Sequence, residues 1–300
     1  MTGDEPQADR SFGARLAAVF AREGRLSVGI DPHPETLAVW GLDDTAEGAK
    51  RLGLAVVEAC AGVAGIVKPQ VACFERFGSA GFRALEAVLA ESRQAGLLTI
   101  ADAKRGDIGS TMASYADAWL SPGSPLEADA VTLTPYVGTG ALEPTMRRAA
   151  SHGKGVFLLA ATSNPEARAL QGARTPEGAS VAGWIVGDVR AFNRRHAGNS
   201  VGRQGARVGA AGVVLGATVR LAQAGIEVGP GVGGGEGGVM PVLAPGFGSQ
   251  GARLTDLEAI YGALTPGVIA HESRSLLNVG PRRLRDEIAR HAALARVVDA

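Results

Sequence analysis

Cysteine is scarce. Only Cys60 and Cys73 occur in 300 residues, both in apolar surroundings and without CxxC or Cys/His spacing. That argues against a disulfide scaffold or a cysteine-rich metal centre and suits a buried, reduced pair in a cytosolic protein. Net charge is missing too, with 30 basic residues against 30 acidic ones. A neutral balance leaves no basic footprint for nucleic acid, and no interleaving of arginine with aromatic residues offers a platform for single strands. Nor is there a run of about 18 apolar residues, the length a membrane helix needs. The opening stretch, MTGDEPQADR, is polar and acidic, unlike a secretory signal. Glycine and proline stay below the level of low-complexity chains. These absences lead us to expect a soluble, cytoplasmic globular protein with neither nucleic acid nor membrane as partner.

What is present is a large apolar fraction, 46%, distributed in short runs. Strands are expected at LSVGID (26–31), AGIVKPQ (64–70), LLTIADAK (97–104) and DAVTLTP (129–135). Four more are expected at GVFLLAA (155–161), RVGAAGVVLGA (207–217), MPVLAPG (240–246) and GVIAHES (267–273). The runs are continuous rather than alternating, the mark of strands covered on both faces. Helical spacing lies between them, as in Phe82, Leu85 and Leu89 of 78–95, and again at 281–299 after Pro281. Eight such units in a chain of this length fit an α/β fold of the (β/α)8 barrel class, with a core at about 26–276 and terminal helices on either side. No linker divides the chain, so residues 1–300 are expected to form a single domain. Two glycine-rich stretches, 197–205 and 228–238, read as flexible loops flanking a sixth unit whose helix must be short.

In a barrel the chemistry gathers where strands finish. Polar side chains fall at those ends here: Asp31, Lys68, Asp102 with Lys104, Ser163, Gln250 and Arg274. Asp102 and Lys104 stand two apart on one strand and so share a face. With Lys68 and Asp107 they form an alternating set of ammonium and carboxylate groups. A structural ion pair with Asp107 as an ordinary N-cap is the plain alternative, but ion pairs at a barrel mouth are costly to desolvate. Flanking carboxylates favour the protonated form of Lys104. A fixed ammonium there could stabilise a carbanion and then protonate it, which suits loss of carbon dioxide better than hydrolysis. No nucleophile–histidine pair is evident.

The stretch APGFGSQGA (244–252) contains G-x-G-x-x-G at Gly246, Gly248 and Gly251, with Glu272 about 20 residues on. That spacing resembles a dinucleotide fingerprint, yet seven units precede it and one follows, whereas the fingerprint normally opens a βαβ half. The loops after strands 7 and 8 of a barrel instead commonly hold phosphate, and Gln250 and Arg274 supply an amide donor and a bidentate clamp. A tight turn and a surface ion pair are the bland alternatives. Asp31 with His33 in GIDPHPE supplies two ligands without a third, so no metal is expected there; a turn or a substrate hydroxyl contact fits better. Ser163 follows strand 5 in ATSNPEA, where an Asn-Pro turn is the simple reading.

DAKRGDIGST, VKPQ, GID, TSNP and APGFGSQGA together resemble orotidine 5'-phosphate decarboxylase in its longer bacterial form, from about residue 26 to 276. The resemblance implies a cofactor-free, metal-free homodimeric barrel converting orotidine monophosphate to uridine monophosphate. By matching motifs it makes Lys104 the proton donor to carbon 6, Asp102 the neighbour of the departing carboxylate, and Lys68 a holder of the ribose and the charge network. It sends Asp107 and Thr111 into the partner subunit's site. Asp31 would bind ribose, Ser163 the pyrimidine edge, and Gln250 and Arg274 the phosphate. Departures are Ala252 for a second glycine, Thr134 for an expected Asn, and a longer loop at 228–238. Two other readings compete. A sugar-phosphate decarboxylase or aldolase of the same superfamily would work through magnesium and carry an acidic ligand after strand 2. A non-catalytic nucleotide-binding protein would lack Lys104 or Asp107.

Overall fold

A computed structural model of the chain describes residues 10–196, 207–229 and 238–296. Eight parallel strands pair in sequence order and close on themselves. They are β1 (Leu26–Ile30), β2 (Ile66–Pro69), β3 (Leu98–Arg105), β4 (Ala130–Leu133), β5 (Gly155–Ala161), β6 (Ala211–Leu215), β7 (Val242–Pro245) and β8 (Val268–Glu272). Every expected strand is present; Gly155–Ala161 has the expected bounds, β3 runs one residue further to Arg105, and the others are shorter than expected. The main helices are α1 (Phe12–Arg22), α2 (Ala46–Cys60), α3 (Gly78–Gln94), α4 (Gly109–Leu120), α5 (Thr139–Ser151) and α6 (Val181–Arg195). Three more, α7 (Leu257–Tyr261), α8 (Arg274–Leu277) and α9 (Leu284–Leu294), lie around β8.

Continuous apolar runs fold this way because alternate residues of each strand enter two different cores. Ile66, Leu98, Ile100, Ala130, Phe157, Val214, Leu243 and Ile269 fill the barrel interior. Val28, Val67, Ala101, Val131, Leu158, Val213, Val242 and Ala270 face the helices instead. Fully burying a side chain such as Phe157 contributes about 2–3 kcal/mol, so neither face can be given to water cheaply. Helix α1, capped by the Ser11 side chain accepting from Ala14 N, inserts Phe12, Leu16 and Val19 into the interior cluster. Phe12 meets Phe157 edge-on, 6.0 Å between centroids, and lies against Gly155, where a Cβ would come within 2.6 Å of the ring. The first strand residues thus sit under a plug. The opposite end, where the strands finish, is left open.

The sixth unit departs from expectation. Residues 217–225 form turns, and the described part of the β6–β7 connection holds no helix where a short one was expected. The glycine-rich stretch 197–205 lies outside the described residues, as do 230–237 of the second stretch; the helix expected at 281–299 is shorter, from Leu284 to Leu294 with Ala295 as its C-cap. Among the described residues no helix is long and apolar enough to cross a membrane.

Candidate active site

At the open end, a cleft of about 320 Å³ is lined by Asp31, Lys68, Gln70, Asp102, Lys104, Thr132, Ser163, Gln250, His271 and Arg274, among others. A larger, shallower groove of about 760 Å³ lies elsewhere, along Trp40, Arg51 and Glu58, and contains none of these groups. The convergence of charge favours the smaller cleft as the working site.

Asp102 is the hub. Its Oδ2 accepts from Lys68 Nζ at 2.6 Å and its Oδ1 from Lys104 Nζ at 2.6 Å. The Thr132 hydroxyl donates to Oδ1 at 3.0 Å, and the Gln70 amide nitrogen, turned toward it, lies 3.2 Å from Oδ2. The two lysines differ sharply in access: the Lys68 side chain is 4% exposed and that of Lys104 46%. Burial alone would depress the Lys68 ammonium, but Asp102 and then Asp31 outweigh it and hold its pKa above the ordinary lysine value. Burial would likewise raise Asp102, yet Lys68 and Lys104 carry its carboxyl well below the usual range. Asp102 therefore stays ionised. The less hindered ammonium faces the cleft.

Lys104 has a second peculiarity. Its φ is +48°, the only positive value outside glycine among the described residues. Such a conformation costs a non-glycine residue about 1–2 kcal/mol, and it persists only when its surroundings over-determine it. Here the β3–β4 register shifts between Ala101 and Arg105. Thr132 Oγ1 accepts from Lys104 N at 2.9 Å, and the Thr134 hydroxyl donates to Lys104 O at 3.2 Å. Thr134, the departure noted in strand 4, thus holds the strained backbone and does not line the cleft.

Asp31 lines the cleft as expected, and two further cleft residues, His271 and Ser273, are not obvious from the sequence. His271 is buried with Nδ1 3.3 Å from Ser27 Oγ; burial and then Lys68 push its pKa well below normal, so it is neutral. Asp31 Oδ1 and Ser273 Oγ are buried and have no hydrogen-bond partner among the described residues; polar atoms so placed call for a bound hydroxyl or water. On the far wall the turn 246–251 bends through Gly246, Gly248 and Gly251, all at positive φ, and carries Gln250 opposite Arg274 at the start of α8.

Asp107 and Thr111 are not brought to this cleft. Asp107 stands two residues before α4 rather than at its N-cap, with Oδ1 accepting from Ile108 N at 2.8 Å. Thr111 is exposed on α4. Ile108, next to Asp107 in the chain, exposes an apolar side chain, as do Tyr136 and Val137 after β4. His33 rests near Cys73 Sγ at 3.7 Å, and the described residues hold no group of three His, Cys, Asp or Glu placed for a metal.

Comparison with known proteins gives a consistent answer. The model of the orotidine 5'-phosphate decarboxylase / HUMPS family matches residues 24–280. The chain is 47% identical over 289 residues to the orotidine 5'-phosphate decarboxylase of Salinispora tropica, covering 96% of each. It is 43% identical to that of Corynebacterium glutamicum, covering 94% of this chain and 97% of the relative. Among solved structures, the Leishmania donovani OMP decarboxylase superposes with a TM-score of 0.71 at 27% identity, covering 96% and 100%. A Streptomyces avermitilis chain assigned to the same activity gives 0.86 at 41% identity, covering 99% and 98%.

Proposed function

The chain belongs to the orotidine 5'-phosphate decarboxylase / HUMPS family, and from that premise we propose that it converts orotidine 5'-monophosphate to uridine 5'-monophosphate and carbon dioxide in pyrimidine nucleotide synthesis. The observation that carries this reading is the Lys68–Asp102–Lys104 triplet at the barrel mouth. The bond from carbon 6 to the carboxylate breaks, its electron pair stays on carbon 6, and carbon dioxide departs. Lys104 Nζ gives a proton to carbon 6 and recovers one from solvent, to which its half-exposed side chain has access. Asp102, kept ionised by its two lysines, faces the substrate carboxylate. Once carbon dioxide leaves, that like-charge contact is relieved and the Lys104 ammonium stands beside a carbanion.

Binding roles follow the cleft. Gln250 and Arg274 take the phosphate, Asp31 and Lys68 the ribose, and Ser163 the pyrimidine edge. Remote phosphate contacts then supply binding energy expressed in the transition state. Two copies of one barrel domain form a cytoplasmic homodimer in which Asp107 and Thr111 complete the neighbour's site. Their position outside their own cleft, with exposed Ile108 next in the chain to Asp107, supports this. The magnesium-dependent sugar-phosphate reading requires an acidic ligand after β2. That strand closes with Lys68-Pro69 and is followed by Gln70 instead, and Glu75 pairs with Arg105 away from the cleft.

The test is metal-free turnover. Purified protein with a chelator should consume orotidine monophosphate, followed by absorbance, and release one carbon dioxide per uridine monophosphate. No consumption, or consumption only after magnesium is added, rejects the assignment.

A further inference from the structure

Behind the wall that carries Gln250 and Arg274 lies a buried charged cluster that the chemistry above does not use. Glu272 is 2% exposed. It is the last residue of β8, next to His271 in the strand and so turned away from the barrel interior toward the helices. Its Oε2 accepts from Ser275 Oγ at 2.8 Å and lies 2.7 Å from His291 Nδ1. His291 belongs to α9, where its Nε2 lies 3.1 Å from Glu287 Oε1 and Arg290 pairs with the same carboxylate at 2.6 Å. A buried carboxylate is expensive unless it is paired and hydrogen-bonded, and here a histidine and a hydroxyl do that.

Ser275 connects the cluster to the cleft. It follows Arg274 directly in α8. Its hydroxyl and Cβ also press on Gly248 of the opposing turn: a Cβ at Gly248 would overlap the Ser275 hydroxyl and come within 2.7 Å of its Cβ and 3.2 Å of Glu272 Oε2. Gly248 stands two residues before Gln250. The spacing of Gln250 and Arg274, on separate segments, is therefore set where Ser275 meets Gly248, and Glu272 fixes Ser275 from below.

We infer that Glu272 and Ser275 are positioning residues for a substrate phosphate, holding the turn that carries Gln250 at the right distance from the helix that carries Arg274. The inference deepens the decarboxylase reading and rests on its phosphate site. Neither side chain touches the ligand. Both act through backbone placement, so their loss should be felt by a phosphate-bearing ligand and not by its phosphate-free counterpart.

Calorimetric affinities for uridine monophosphate and for uridine, in wild type, Ser275→Ala, Glu272→Gln and Glu272→Ala, provide the test. Ser275→Ala should weaken uridine monophosphate about three- to tenfold, the effect of one lost hydrogen bond, and leave uridine unchanged. Glu272→Gln keeps the shape and an accepting oxygen and should recover most of the affinity lost in Glu272→Ala. If Glu272→Ala does not fold, Ser275→Ala and Glu272→Gln still decide the matter. Equal affinities for uridine monophosphate across folded variants, with only the melting temperature lowered, would show that the cluster merely anchors α9 and overturn the inference. So would parallel losses on both ligands. Wild-type turnover of orotidine monophosphate, measured alongside, reports separately on the function itself, because the affinity comparison does not depend on turnover.

Discussion

Replacing Asp102 by Asn preserves the shape of the side chain and removes its charge. Lys68, with its side chain 4% exposed, would then keep Asp31 as its main nearby counter-charge among the described residues. Removing one partner of a buried ion pair typically costs about 3–5 kcal/mol; with Asp31 still present, the lower end, about 3 kcal/mol, is expected. The pH dependence should change as well. In the native protein the folded pKa of Lys68 is raised, so its contribution is fully present below the unfolded value of about 10.4 and is lost as pH rises through the folded value. In Asp102→Asn burial dominates, and the folded pKa drops below the unfolded one. The variant then binds fewer protons folded than unfolded, so its stability rises with pH across that interval. Urea unfolding at neutral pH and again at about pH 9.5 measures both effects. The gap to wild type should be about 3 kcal/mol at neutral pH and should narrow at the higher pH. A gap under about 1 kcal/mol, or one that does not change with pH, would refute a charge-coupled buried pair and leave an ordinary surface bridge.

Arg274→Ala should cut kcat/KM for orotidine monophosphate steeply while hardly changing the small activity on the phosphate-free nucleoside; equal losses on both would make Arg274 structural. Subunit exchange between Lys104→Ala and Asp107→Ala should restore activity toward about a quarter of wild type, because about half the dimers become mixed and one of the two sites in each collects neither lesion. If mass spectrometry shows mixed dimers and activity stays flat, Asp107 serves its own chain.

The barrel was legible because its strands are mostly apolar runs whose acidic and basic side chains gather toward the ends; Asp31, Lys68, Asp102 and Lys104 stand out for that reason. Thr132 and His271 do not. Within VTL and IAH each reads as one more residue of a buried strand, and its role comes from strands that sequence does not align side by side. Gln70 and Ser273 sit beside louder neighbours, Lys68 and Arg274. The short helices at Val71–Glu75 and Ala167–Gln171 span too few turns for a periodic signal. The sixth connection was expected to hold a short helix because the barrel pattern demands one, and its described residues form turns instead. Most hidden of all was the backbone of Lys104. Nothing in DAKRG announces a left-handed lysine, since that conformation is imposed by the β3–β4 register shift and by Thr132 and Thr134.

That strained lysine gives the most direct test of the proposed chemistry. Lys104→Gly removes the ammonium and at the same time relieves a conformation costing about 1–2 kcal/mol, while the buried Asp102 keeps Lys68 as its partner and loses only the half-exposed one of its two lysines. Turnover of orotidine monophosphate should fall by ~100-fold or more, as loss of a general acid requires, while the urea midpoint should stay level or rise. A variant that keeps more than about a tenth of wild-type activity would contradict the assignment of Lys104 as proton donor.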